Sequence, residues 1–147
     1  MSEHLILMAE DDADDRLLVQ DAFAECGAND TVKFVADGEE LVDYLLRRGK
    51  YEKACASPRP DLILLDLNMP LINGFECLDM MKKNDRLKNI PVIIYSTSAN
   101  PDDVKKSYDL GARFYVHKPN NHKQIKEEIK KVLLTPWKKE PLIKSKT

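Results

Sequence analysis

Leu62-Ile63-Leu64-Leu65-Asp66-Leu67-Asn68-Met69-Pro70 is the stretch on which the fold turns. An apolar run this short, bounded by Arg59-Pro60-Asp61 before it and Pro70 after it, reads as a β-strand buried on both faces. Such strands belong to parallel sheets covered by helices on each side. Asp66 then stands at the carboxyl end of a central strand, where open α/β sheets bind their ligands. An aspartate there also makes an ordinary turn cap, so its neighbours in space have to decide between the two roles.

Working outward, Leu5-Ile6-Leu7-Met8-Ala9 is a second buried strand, ending in Glu10-Asp11-Asp12. Leu18, Val19, Ala22, Phe23 and Cys26 recur at helical spacing up to Gly27. Asp12, Asp14 and Asp15 are explained by the macrodipole, which favours acids at a helix start. Glu10 and Asp11 fall in the turn before it and are not. Thr31 to Val35 alternates and reads as a strand near the sheet edge. A turn at Asp37-Gly38, a helix over Glu39 to Arg48, and a helix end plus surface loop over Gly49 to Pro60 follow.

Beyond Pro70, Gly74 opens a helix with Phe75, Leu78 and Met81 on one face. Ile90 to Tyr95 is a strand running into Ser96-Thr97-Ser98. Asn100-Pro101-Asp102-Asp103 combines a cap, an N-terminal proline and two acids, and starts a helix that reaches Leu110 before Gly111. Phe114 to His117 is the last strand, leading into Lys118-Pro119. A final helix, capped near Asn121, carries Ile125, Ile129, Val132 and Leu133. Five strands alternating with five helices give a doubly wound parallel sheet. The domain is expected over residues 1–135, with a tail over 136–147 and no effector domain.

At 147 residues the chain is of single-domain size, with 43% hydrophobic and 33% charged residues. A net charge of −2 argues against a nucleic-acid binder. Three scattered cysteines with no CxxC pair suit a reducing compartment, and neither a disulfide framework nor a zinc site. With no signal segment and no apolar run long enough for a bilayer, the expected location is cytoplasmic.

Strands one, three, four and five deliver Glu10 and Asp11, Asp66, Ser96 and Lys118 to one edge of the sheet. Carboxylates ~4 Å apart repel by roughly 4 kcal/mol at an effective dielectric of ~20. A hard divalent cation such as magnesium is the natural remedy. A lysine and a hydroxyl beside it suit a phosphoryl group, and the set equips Asp66 to form a transient aspartyl-phosphate.

Four stretches carry a resemblance: Met8-Ala9-Glu10-Asp11-Asp12; Leu62 to Pro70 with Gly74; Ile94-Tyr95-Ser96-Thr97; and Tyr115-Val116-His117-Lys118-Pro119. In that order they resemble the motif set of bacterial two-component response-regulator receiver domains of the chemotaxis-receiver type, from about Leu5 to Leu134. The resemblance implies a flavodoxin-like fold of strand order 2-1-3-4-5. It implies that Asp66 is the phosphoacceptor and that Asp11, Asp66 and the Asn68 backbone carbonyl hold Mg2+ or Mn2+, with Glu10 acting through water. Ser96 and Lys118 would grip the phosphoryl oxygens, and Ser96 with Tyr115 would form the conformational switch. A cis peptide is implied at Lys118-Pro119. The implied donor is a sensor histidine kinase, and the only catalysis implied is the domain's own phosphotransfer and dephosphorylation. The insertion around Tyr51 to Pro60 and the Ser96 to Asn100 run resemble the single-domain regulators that serve phytochromes.

The chain departs from the family pattern in three places. Thr97 is bulkier than the frequent alanine, Asn120 and Asn121 replace a frequent apolar residue, and Asn68 and Ser98 occupy positions that tune phosphoryl lifetime. A phosphatase of the haloacid dehalogenase type would need an aspartate where Asn68 stands. A flavin phosphate would be repelled by Glu10 and Asp11. The remaining alternatives are a phosphorelay shuttle or sink, and a degenerate receiver that only binds partners. Without an effector, the signal is expected to leave through a downstream protein or phosphotransfer partner. Trp137, Leu142 and Ile143 in the tail lead us to expect a homodimer through the last strand, last helix and tail. No nucleic-acid or membrane partner is expected.

Overall fold

The computed structural model describes residues 4–25, 31–53, 57–69, 71–118 and 122–134. Strands β1 (Leu5–Ala9), β2 (Thr31–Val35), β3 (Leu62–Leu65), β4 (Val92–Ser96) and β5 (Phe114–His117) alternate with helices α1 (Ala13–Glu25), α2 (Gly38–Leu46), α3 (Gly74–Lys82), α4 (Pro101–Asp109) and α5 (His122–Leu134). All pairings are parallel and the order is β2-β1-β3-β4-β5, as the resemblance implied. The expected cap at Asn121, the Lys118-Pro119 peptide, the stop at Cys26 and Gly27, and the tail on which the expected homodimer rests lie outside the described residues. Among the described residues no helix is long and apolar enough to cross a membrane.

Side chains of a strand alternate between faces, and the two faces build two separate cores. Leu7, Ile63, Leu65, Val92 and Ile94 pack with Leu41 and Leu45 of α2 and Cys77, Leu78 and Met81 of α3. Ile6, Met8, Leu62, Leu64, Ile93 and Tyr95 pack with Val19, Ala22 and Phe23 of α1 and Ile125, Ile129 and Val132 of α5. All four residues of β3 are buried, as expected for a strand covered on both sides. Burial followed by the Glu76 charge pushes the Cys77 thiol up to about 12, so it behaves as a core residue.

Boundaries of β4 and α2 differ from expectation, and α4 ends one residue early at Asp109. β4 starts at Val92, not Ile90, because Ile90 N–H closes a turn onto Leu87 O at 3.0 Å and Pro91 has no N–H to pair. The same strand runs one residue further, so Ser96 is its last member and not part of a loop. α2 spans Gly38–Leu46 because Arg47 turns left-handed at φ 57°, while Arg48 N–H reaches back to Asp43 O at 2.8 Å. That 6→1 closure ends a helix without glycine. At the other end Asp37 caps α2, accepting from Glu40 N–H at 2.8 Å.

The segment expected as a surface loop contains a 3₁₀ turn at Gly49–Tyr51 and packs onto the core. Tyr51 is 6% exposed, its ring centroid lies 5.0 Å from that of Tyr44, and its hydroxyl donates to Glu40 Oε2 at 2.6 Å. Burial pushes the Glu40 carboxyl up. Hydrogen bonds from the Tyr51 hydroxyl, the Ala36 N–H and the Lys50 ammonium outweigh it and bring it to about 2. A depressed carboxylate contributes stability above its ordinary value of 4.5, which is lost as pH falls toward about 2. Glu40→Gln is therefore expected to cost about 1–2 kcal/mol at neutral pH after solvent screening. In urea titrations the gap to wild type narrows through that acid window, and a gap independent of pH would contradict the account.

Candidate functional site

The parallel order puts the carboxyl ends of β1, β3, β4 and β5 on one edge of the sheet. Asp66 follows β3 and is half-buried. Its Oδ1 accepts the Asn68 N–H at 3.0 Å, so the turn-capping role is real and occupies one oxygen only. Gly74 N–H donates to Leu67 O at 3.1 Å, and a Cβ on Gly74 would lie 2.5 Å from the Asp66 carbonyl oxygen. Only glycine lets the start of α3 lie this close behind the aspartate. Asn73 and Glu76 fix that start with a reciprocal capping box at 3.0 and 2.9 Å.

Ser96 is fully buried, and its Oγ accepts the Ser98 N–H at 3.3 Å. Ser98 ties the loop after β4 in three directions. Its hydroxyl donates to Asp103 Oδ2 at 2.6 Å and accepts the Asn100 N–H at 3.3 Å, and its carbonyl accepts the Tyr115 hydroxyl at 2.6 Å. Tyr115 packs partly buried against the α2–α3 core and Phe114 against the other, so the two rings do face opposite sides. The His117 ring nitrogen Nε2 is 3.0 Å from Thr97 O, while the Thr97 side chain is exposed.

Lys118 is held over Ser96 by its own N–H, which donates to Ser96 O at 2.6 Å. Its ammonium does not go to Asp66. It pairs with Glu10 Oε1 at 3.1 Å and lies 3.9 Å from Asp15 Oδ2, with the side chain 15% exposed. The Tyr95 ring centroid is 5.7 Å away, and the Tyr95 hydroxyl is buried without a hydrogen-bond partner among the described residues. Burial, followed by the charges of Glu128, Asp15, Glu10 and Asp66, raises that hydroxyl above its ordinary value.

Asp15 is the residue that sequence reasoning passed over as a helix-start acid. It is 8% exposed, whereas Asp12 and Asp14 are exposed. The signal was present, since Asp15, Val19 and Ala22 recur at helical spacing and all three are buried.

Asp11 is exposed, and among the described residues no group of three or more acidic, histidine or cysteine side chains is gathered closely enough to hold a metal ion. The donor set nevertheless fits a hard cation. Glu10 and Asp15 flank the Lys118 ammonium, while Asp11 and Asp66 have no cationic side chain paired with them among the described residues. Magnesium keeps most of its waters and needs only one or two carboxylates, so a closed protein cage is not required.

An acid-lined edge with a buried hydroxyl and an ammonium, on a 2-1-3-4-5 sheet, defines a receiver. The family model of the response regulator receiver domain matches residues 6–130, and the chain belongs to that family. Response regulator Rcp1 of Synechocystis sp. is 40% identical over 121 residues, which is 82% of this chain and 80% of that protein. The structure of the Mn2+-bound form of Rcp1 superposes with a TM-score of 0.80 at 38% identity, covering 88% of this chain and 91% of that one. The phosphorylated cyanobacterial phytochrome response regulator RcpA gives 0.80 at 40% identity, covering 89% and 91%. The chain thus resembles receivers of two-component signalling, one solved with a divalent metal and one phosphorylated.

Proposed function

We propose that this receiver accepts a phosphoryl group on Asp66 from a sensor histidine kinase of the phytochrome type, and that Mg2+ or Mn2+ supports the transfer. The observation that carries the reading is the position of Asp66 directly after the fully buried β3, beside the acidic turn of β1 and on the same sheet edge as Ser96. The likeness to the cyanobacterial phytochrome response regulator RcpA supports the choice of kinase.

With Oδ1 engaged by Asn68 N–H, Oδ2 of Asp66 is the attacking atom. It forms the O–P bond as the donor's imidazole, or acetate from a small donor, leaves with the bonding pair. Asp11, Asp66 and the Asn68 carbonyl would hold the cation, with Glu10 acting through water; when bound, it neutralises charge on the phosphoryl oxygens. Ser96 Oγ turns from the Ser98 N–H to donate to one phosphoryl oxygen. Lys118 leaves Glu10 to pair with another. Because the loop after β4 hangs on Ser96, Ser98 and Tyr115, the turn of one hydroxyl is transmitted to the α4–β5 surface, a two-packing switch biased by phosphate.

The test is incubation with acetyl phosphate. Phosphoryl uptake is expected with Mg2+ and is lost on chelation; uptake unaffected by chelation would sink the reading. In magnesium titrations Asp11→Ala is expected to weaken binding about tenfold or more. Glu10→Ala should weaken it less, because Glu10 already serves Lys118. Equal losses would show that the acidic pair has been misassigned.

A further inference from the structure

We propose that Asp15 is a positioning residue for Lys118, holding its ammonium at the phosphoacceptor edge when Glu10 turns toward the cation. The inference rests on the proposed role of Lys118 at the phosphoryl group and assigns a task to a residue outside the strand-end motifs.

The macrodipole does not account for Asp15. A helix-start acid gains from the dipole while remaining in water, as exposed Asp14 does. Asp15 is instead one of four buried polar or charged residues among those described. A buried carboxylate is tolerated only beside a compensating charge or hydrogen bonds, and Lys118 Nζ lies 3.9 Å from its Oδ2. Both side chains are largely out of water, at 15% and 12% exposure, so the attraction is weakly screened.

Glu10 is the nearer partner of Lys118, at 3.1 Å, and it has a competing task. It stands in the strand-end turn next to Asp11, where it would be drawn away from the ammonium once a cation was held there. Asp15 lies in α1, outside that turn. It sits in the first turn of α1, on the stripe it shares with Val19 and Ala22, and its N–H is fixed by Asp12 Oδ1 at 3.0 Å. The Tyr95 ring bounds the ammonium as well, at 5.7 Å from its centroid. When Glu10 leaves, Asp15 and Tyr95 remain as the seat from which Lys118 reaches the phosphoryl oxygens. Without the Asp15 charge the long lysine stem would sample solvent, and the transfer would lose a pre-placed cation.

Two readouts on the full chain with acetyl phosphate separate this role from a purely structural one. Asp15→Asn, nearly isosteric and uncharged, is expected to lower the maximal phosphorylation rate at saturating Mg2+ about tenfold, a modest case of a displaced catalytic group. Magnesium half-saturation should move less than about twofold, and Asp15→Glu should restore part of the rate. In an Asp15→Asn, Lys118→Ala double variant the losses are expected not to multiply, because the first acts through the second. A rate equal to or above wild type, or fully multiplicative losses, overturns the proposal. Should Asp15→Asn fold poorly by circular dichroism, Asp15→Ser is measured the same way, with the same outcomes deciding. Failure of the underlying function would look different, since wild type itself would then take up no phosphoryl group.

Discussion

Asp66→Asn is expected to take up no phosphoryl group from acetyl phosphate, a loss of at least about a thousandfold, while keeping its stability within about 1 kcal/mol of wild type. The two halves follow from different atoms. Uptake disappears because a neutral amide is no nucleophile at this pH, and no other carboxylate stands at the end of β3. Stability survives because the role of Oδ1 is to accept the Asn68 N–H at 3.0 Å, which an asparagine carbonyl does equally well. Removing one negative charge from an edge that also holds Glu10 and Asp11 offsets part of any packing loss. Phosphoryl counting and urea melts on the same preparation check both statements. Undiminished uptake would remove Asp66 from its assigned role, and unfolding would show that its place in the turn had been undervalued.

The second large effect is structural. Gly38→Ala would place its Cβ 1.8 Å from the carbonyl oxygen of Ile72 and 2.8 Å from its carbon. These are backbone atoms of the loop between β3 and α3, so no side chain can swing aside. That loop already carries Leu71 at φ 72°, in the left-handed region and 71% exposed. It leads directly into Asn73 and Gly74, which fix the start of α3 behind Asp66. Adding the methyl is expected to cost about 3 kcal/mol or more, at the upper end of overpacking, and to depress phosphorylation by moving the loop. Gly49 and Gly111 provide the contrast, for a Cβ there meets nothing within 4 Å and only the positive φ resists. Alanine at either should cost about 1 kcal/mol. Chemical denaturation of the three variants tests the order, and Gly38→Ala matching Gly49→Ala would contradict the packing.

Most of the fold was legible because its signals are local. Leu5 to Ala9, Thr31 to Val35 and Phe114 to His117 form strands with the ends expected from apolar runs and their punctuation. Asn100 caps α4 through Asp102 N–H at 2.9 Å, with Pro101 in the first turn, as that tetrapeptide implied. The site was legible as a set of strand ends, since topology alone brings Glu10, Asp66, Ser96 and Lys118 to one edge. Pairings within it were not. Whether Lys118 meets Asp66 or Glu10 depends on side-chain reach and on which carboxylate is already bonded, and Asp66 is engaged by Asn68 N–H. The burial of Tyr51 against Tyr44 likewise depends on neighbours more than a helical turn away in sequence, whereas that of Asp15 is written in its spacing with Val19 and Ala22. The bonds that Ser98 makes with Asp103, Asn100 and Tyr115 depend on how the loop after β4 closes over β5, which no periodicity encodes.

The central claim is chemical, that the carboxylate of Asp66 itself carries the phosphoryl group. Borohydride reduction of the acetyl-phosphate-treated protein, followed by peptide mass spectrometry, tests it most directly, because an acyl phosphate is reduced to the alcohol at the carbon that bore it. The account predicts homoserine at position 66, dependent on Mg2+ during the labelling step. Reduction mapped to Glu10, Asp11 or Asp15, with position 66 left as aspartate, would contradict it.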